Sequence, residues 1–257
     1  MLAPSQAVAP VVDRPPPPPL LASNSLFLDF DGTLVELAER PDGVIVGADL
    51  LALLDRLMTA LDGRLAIVSG RSIRQLDALL GPAAAAITLA GSHGAERRTP
   101  TEGYVAADGA ASLHDVAQRF EAFAEAHPGV IVEVKSHGVA LHYRLAPERE
   151  PAALGLAARI AADAGLILQH GKMMAEARVA GDKGAALAAL MQLPGFAGST
   201  PFFCGDDVTD EDGFIAARAL GGGGILIGDP RDTAASWRLP GVAALHRWLT
   251  TSLSELL

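Results

Sequence analysis

Acidic, hydroxyl and ammonium side chains recur in this chain at the ends of apolar runs. Asp29-Phe30-Asp31-Gly32-Thr33 follows Leu26-Phe27-Leu28, and Ser69-Gly70-Arg71 follows Leu65-Ala66-Ile67-Val68. Gly205-Asp206-Asp207 follows Pro201-Phe202-Phe203-Cys204. In an open parallel sheet the carboxyl ends of strands share one rim, where ligands bind. Carboxylates gathered there repel one another unless a hard dication lies among them. An oxygen-only donor set suits Mg²⁺, which keeps waters and takes a substrate phosphate to complete its shell. Lys183, at the start of a helix, and Ser69, followed by main-chain N–H groups, suit phosphate oxygens. An Asp neutralised by metal can attack phosphorus and form an aspartyl-phosphate.

The elements that must position these groups follow a strand–helix alternation. Leu50, Leu54, Leu57 and Leu61 recur at helical spacing, as do Ile73, Leu76 and Leu80. Ile87 to Ala90 is a third strand. Asp182 caps a helix from Lys183 to Met191, Ile225 to Ile227 is another strand, and Val242 to Leu249 is a last helix. The middle differs: a helix through Leu113 and Phe120, a hairpin of Val130–Lys135 with Val139–Arg144 turning at Ser136-His137-Gly138, an Ala-rich helix, and two short strands. The expectation is an α/β fold, a doubly wound parallel-sheet core with an inserted α+β unit. Residues 24–103 and 176–257 form the core, 104–175 the insertion, and 1–23, with the run Pro15 to Pro19, a disordered tail.

Composition narrows the partners. The 257 residues carry a net charge of −10, the wrong sign for a phosphate-backbone binder, so no nucleic acid is expected. No run approaches the roughly 18 apolar residues of a membrane span. The first residues lack a secretion signal, and Cys204 is the only cysteine, so a cytoplasmic protein is expected. With no His beside it to activate it, Cys204 reads as a buried strand residue. Asp210 to Gly213 is no EF-hand, because Val208 and Ala219 stand at its outer ligand positions.

The order Asp-x-Asp-Gly-Thr, Ser, Lys, Gly-Asp-Asp-x-x-Asp resembles the haloacid-dehalogenase superfamily. Within it the chain is similar to the trehalose-6-phosphate phosphatase family. Gly91-Ser92-His93-Gly94-Ala95-Glu96 and Asp206-Asp207-Val208-Thr209-Asp210-Glu211-Asp212 carry most of that likeness. The resemblance implies a Rossmann-like core and a cap formed by the insertion, with trehalose 6-phosphate, a small-molecule sugar phosphate, as substrate. It implies Asp29 as nucleophile, Asp31 as general acid/base and Lys183, also counted as catalytic, as a phosphate contact with Ser69. Mg²⁺ would be held by Asp29, the Asp31 main chain and Asp206, with Asp207 in or near the outer shell. Gly70, Arg71 and His93 would join Ser69 in binding substrate. Glu133, Lys135 and Glu176 would meet the sugar.

Period-two alternation independently puts Glu133 and Lys135 on one strand face, which suits sugar hydroxyls or a solvated surface equally. His93 reads as a turn residue or a substrate contact. The alternatives to this substrate are sucrose phosphate or mannosyl-phosphoglycerate, a phosphosugar mutase, or a non-catalytic sugar-phosphate sensor. A monomer is expected.

Overall fold

A computed structural model of the chain describes residues 13–37, 43–106, 113–135, 138–179 and 181–256. Its larger sheet has eight strands: β1 (Asn24–Leu28), β2 (Leu65–Val68), β3 (Thr88–Gly91), β4 (Glu96–Thr99), β5 (Gly103–Ala106), β10 (Thr200–Gly205), β11 (Gly223–Ile227) and β12 (Trp237–Leu239). They lie in the order β12-β11-β10-β1-β2-β3-β4-β5. The pairs from β12 to β3 are parallel, and β4 and β5 join antiparallel at one edge.

Cover on both faces explains why the central strands are buried and mostly apolar. Leu26 and Leu28 of β1 pack with Leu54, Leu57, Leu245 and Leu249. These come from α1 (Ala48–Ala60) and α7 (Val242–Leu256), with α2 (Ile73–Leu80) beside them. Phe27 points the other way, onto Leu187, Leu190 and Phe214 from α5 (Lys183–Leu190) and α6 (Glu211–Ala219). A strand covered on both faces has no polar side. After the buried Asn24 and Ser25 at the start of β1, the next polar residue falls where the cover ends, at Asp29. β1 lies between β10 and β2, so the rim residues of all three meet there.

The smaller sheet is antiparallel, in the order β6-β7-β9-β8. It comprises β6 (Ile131–Lys135), β7 (Gly138–His142), β8 (Ile167–Gly171) and β9 (Met174–Arg178). Val139, Leu141, Ala175 and Ala177 cover one face with α3 (Leu113–Ala126) and α4 (Glu150–Asp163), through Val116, Phe120 and Ile160. Cross-strand register places Glu133 opposite Ala140, and Ala140 opposite Glu176. Both acids therefore occupy the other face. The expected hairpin forms, with Lys135 opposite Gly138; Ser136 and His137 lie outside the described residues. The expected boundary at 103/104 falls within β5, which belongs to the large sheet. That at 175/176 falls within β9, which belongs to the small one.

The tail requires a correction. Residues 1–12 lie outside the described residues, but from Asp13 onward the chain is docked. The Pro15 carbonyl accepts from Arg238 N at 3.1 Å and the Pro18 carbonyl from Trp248 Nε1 at 3.0 Å. Leu20 N donates to Ser252 Oγ at 3.1 Å, and the Leu20 side chain is 1% exposed in the core. Proline donates no hydrogen bond but accepts one freely, so the run can strap the molecule without pairing as a strand. Leu20→Ala should lower stability by about 2–5 kcal/mol, measured by denaturant unfolding. A change within 0.5 kcal/mol, about that of a surface substitution, would restore the free-tail reading.

Candidate active site

Asp29 continues β1 by one residue, its N–H donating to the Cys204 carbonyl at 2.9 Å. The chain then turns at Gly32, whose φ of +79° favours glycine. A Cβ there would lie 2.2 Å from Asp206 Oδ2, so glycine also admits the acid loop from β10. Thr33 Oγ1 donates to Asp206 Oδ1 at 3.2 Å, tying the two loops together. Lys183 opens α5, where the Asp182 side chain accepts from Ala185 N.

Lys183 is the centre of the charge arrangement. It is 3% exposed, and Nζ donates to Asp29 Oδ1 at 2.7 Å and to Asp210 Oδ1 at 2.6 Å. Burial pushes the Asp29 carboxyl up to about 6 although Lys183 opposes it. Burial and the Asp29 charge push Asp210 up to about 7. Burial would lower the Lys183 ammonium, but Asp29 and Asp210 outweigh it and hold its pKa above the usual lysine value. Burial, then Asp210 and Asp207, also raise Asp206.

Asp210 is a functional residue that the sequence reading passed over. It ends the Gly-Asp-Asp-x-x-Asp motif, and the short turn Val208–Asp210 brings it back beneath Asp206. Its Oδ2 accepts from Asp206 N at 2.9 Å and Asp207 N at 3.0 Å. Carboxylate oxygens of Asp29, Asp206 and Asp210 lie within 4.8 Å of one another. Three donors already occupy Asp210, which fits it to fix Lys183 and the loop rather than to ligate. Asp207, expected in or near the outer ligand shell, caps the turn through one oxygen: its Oδ1 accepts from Thr209 N and Thr209 Oγ1, both at 2.7 Å.

Arg71, expected to contact substrate, is paired with Asp31. Its Nε and Nη2 grip Asp31 Oδ2 and Oδ1 at 2.6 and 2.7 Å, a bidentate pair that fixes the carboxylate plane. Its N–H donates to the buried Ser69 Oγ at 3.1 Å. Ser92 and His93 both sit in the left-handed region, with φ of 51° and 57°. Such strain persists where neighbours over-determine it. Ser92 N donates to the Arg71 carbonyl and His93 N to the Ser69 carbonyl, each at 2.8 Å. A Cβ on Gly70 would lie 2.8 Å from the His93 ring. Burial, with Arg178 and Lys183 nearby, lowers His93 to about 4, so the imidazole is neutral near pH 7.

Asp29, Asp31, Ser69, Gly70, Arg71, His93, Lys183 and Asp207 line one cavity of about 500 Å³. Gly70 and His93 also line a second, of about 620 Å³, with Glu133, Lys135 and Glu176 on its far wall. Lys135 Nζ donates to Glu176 Oε2 at 2.7 Å, and His142 Nε2 pairs with Glu133 Oε2 at 2.9 Å. Every residue expected to touch substrate thus lines one of two adjoining spaces.

A doubly wound parallel core with Asp, Ser, Lys and Asp-Asp at its strand ends, carrying an α+β insertion, is a haloacid-dehalogenase-type phosphatase architecture. The trehalose-phosphatase family model matches residues 27–241. The trehalose-6-phosphate phosphatase of Escherichia coli (strain K12) is 43% identical over 244 residues, 93% of this chain and 91% of that protein. A probable trehalose-phosphate phosphatase of Sinorhizobium fredii is 44% identical over 209 residues, covering 80% of this chain and 78% of that one. Among solved structures, Aspergillus fumigatus trehalose-6-phosphate phosphatase superposes with a TM-score of 0.69 at 26% identity, covering 91% and 93% of the two chains.

The chain belongs to the trehalose-phosphatase family and is a phosphoric monoester hydrolase. The family implies a divalent metal, and the oxygen-only cluster beside Gly32 fits one. Among the described residues no helix is long and apolar enough to cross a membrane.

Proposed function

We propose that this chain hydrolyses trehalose 6-phosphate to trehalose and inorganic phosphate, with Mg²⁺ as its metal. The observation that carries the reading is that the paired Asp29 and Lys183, backed by buried Asp210, line a cavity adjoining a cleft walled by Glu133, Lys135 and Glu176. A bound Mg²⁺, held by Asp29, the Asp31 main-chain carbonyl and Asp206, would offset charge on the phosphate and the acids.

Asp29 attacks phosphorus, forming an Asp29–phosphate bond as the bond to the sugar oxygen breaks. Asp31, which Arg71 grips as a carboxylate in this arrangement, would have to take up a proton with that grip loosened before giving it to the leaving oxygen. It then takes a proton from water as the water attacks the aspartyl-phosphate, which releases phosphate and restores Asp29. Lys183 and Ser69 hold phosphate oxygens throughout. Lys183 also keeps Asp29 anionic against the pull of burial, and an anionic Asp29 is what the attack requires.

The antiparallel unit supports a role as cap. We place its limits after β5 and after β9, at about 107 and 180, from strand membership. Glu133, Lys135 and Glu176 offer charged acceptors and a donor to the many hydroxyls of a disaccharide. Glu133→Ala should raise KM about tenfold or more while changing kcat little, as loss of a binding contact does. A fall in kcat at unchanged KM would remove Glu133 from sugar recognition.

Phosphate release from a panel of sugar phosphates, with and without Mg²⁺ after chelation, tests the whole reading. Trehalose 6-phosphate should be preferred, and turnover should vanish without the ion. A wide preference for another sugar overturns the substrate assignment, and phosphate retained on sugar would indicate a mutase. Full turnover in chelator overturns the metal.

A further inference from the structure

Resting on the metal-dependent reading above, we infer that Arg231 is a positioning residue for the acid loop that presents Asp206 to the divalent ion. Arg231 lies between β11 and β12, outside every motif that the sequence singled out. Its Nη2 donates to the main-chain carbonyl of Asp207 at 2.6 Å, and its Nη1 pairs with Glu211 Oε1. Glu211 is held to the same loop again, accepting from Thr233 Oγ1 at 2.8 Å and Ala234 N at 2.7 Å. The loop after β11 is therefore stitched to both ends of the segment from Asp207 to Glu211.

The opposite flank of that segment is pinned by a different group. Asp210 Oδ2 accepts the N–H groups of both Asp206 and Asp207. Asp210 thus fixes the peptide planes on either side of Asp206, and Arg231 fixes the next one along, at the Asp207 carbonyl. Arg231 Nε is buried with no hydrogen-bond partner among the described residues. An unmatched buried N–H is unfavourable. The guanidinium is held where its two terminal nitrogens meet the acid loop while its third stays unmatched. Its position is dictated by the loop.

Without Arg231, the Asp207 carbonyl loses its donor and Glu211 its cation, so the Asp207 end of the loop is released while Thr233 and Ala234 still hold Glu211. Groups that orient a ligand without touching the ion typically set metal affinity by 10–100-fold. Lysine keeps the charge but not the fork, and can serve one acceptor well where arginine serves two.

The test is calorimetric titration of Mg²⁺ alone into the full chain, in the unsubstituted protein, Arg231→Ala and Arg231→Lys, with metal-free melting curves alongside. The expected result is a Kd weakened about tenfold or more in Arg231→Ala and partly recovered in Arg231→Lys. At saturating Mg²⁺, KM for trehalose 6-phosphate should be unchanged. Mg²⁺ affinity in folded Arg231→Ala equal to that of the parent overturns the inference. If Arg231→Ala does not fold, Arg231→Lys decides: a severalfold weaker Kd is expected, and an unchanged Kd overturns the inference. Absence of Mg²⁺ binding by the unsubstituted chain would overturn the metal reading itself and this inference with it.

Discussion

Asp29→Asn should cut kcat by about 10⁴-fold or more while leaving the protein folded. The amide keeps the shape of the carboxylate, and its oxygen can still accept from Lys183 at the 2.7 Å site. It carries no negative charge with which to attack phosphorus. Because burial already drives the Asp29 carboxyl up to about 6, removing the charge also removes a desolvation cost. The metal-free variant should melt no lower than its parent near pH 7. Phosphate-release kinetics and a melting curve together check this. Turnover within tenfold of the parent would rule out a covalent intermediate on this residue.

Lys183→Met has an equally large effect by a different route. It leaves Asp29 and Asp210, both buried, without the cation that opposes their desolvation. Breaking a buried pair from one side costs about 3–5 kcal/mol, so the variant should be both inactive and less stable. The sign with pH follows from the two carboxyls. Their folded pKa values, already raised to about 6 and about 7, rise further without Lys183. The native state then binds protons more tightly than the unfolded chain, so lowering the pH favours folding. The stability gap between variant and parent should therefore narrow as the pH falls from about 8 toward 5. A gap that widens over that range would show that Lys183 does not neutralise these two acids.

The legible parts of the molecule were those governed by local spacing. Apolar runs gave β1, β2, β3 and β10, and helical periodicity gave α1, α2, α3 and α7, because covered faces must be apolar wherever they occur. β4 escapes the sequence because Glu96-Arg97-Arg98 carries no apolar signal, and β5, Gly103-Tyr104-Val105-Ala106, is too short to stand out. Glu96 is 4% exposed there only because Ile73 N, Ser92 Oγ and Tyr104 OH donate to it from three other segments. The proline run looked like a tail because its missing N–H groups are visible in sequence and its carbonyl partners on β12 and α7 are not.

Within the site, strand-end position gathered the right residue types but not their pairings. Arg71 and Asp31 are 40 positions apart, and only the fold shows that the guanidinium grips the acid. Asp210 stood within a recognised motif. Its importance lies in three hydrogen bonds that depend on where β10 ends relative to α5.

The docked proline segment gives the molecule an optical reporter of its own. The chain has two tryptophans, and both mark the corner where that segment lies. Trp248 donates its indole N–H to Pro18, and Trp237 stacks on Phe202 in the strand whose next residue, Arg238, binds Pro15. Detachment of this short stretch would hydrate the Trp248 ring while Trp237 stayed stacked. A red shift in emission that precedes loss of helical ellipticity would then time the release of the N-terminal segment separately from collapse of the core.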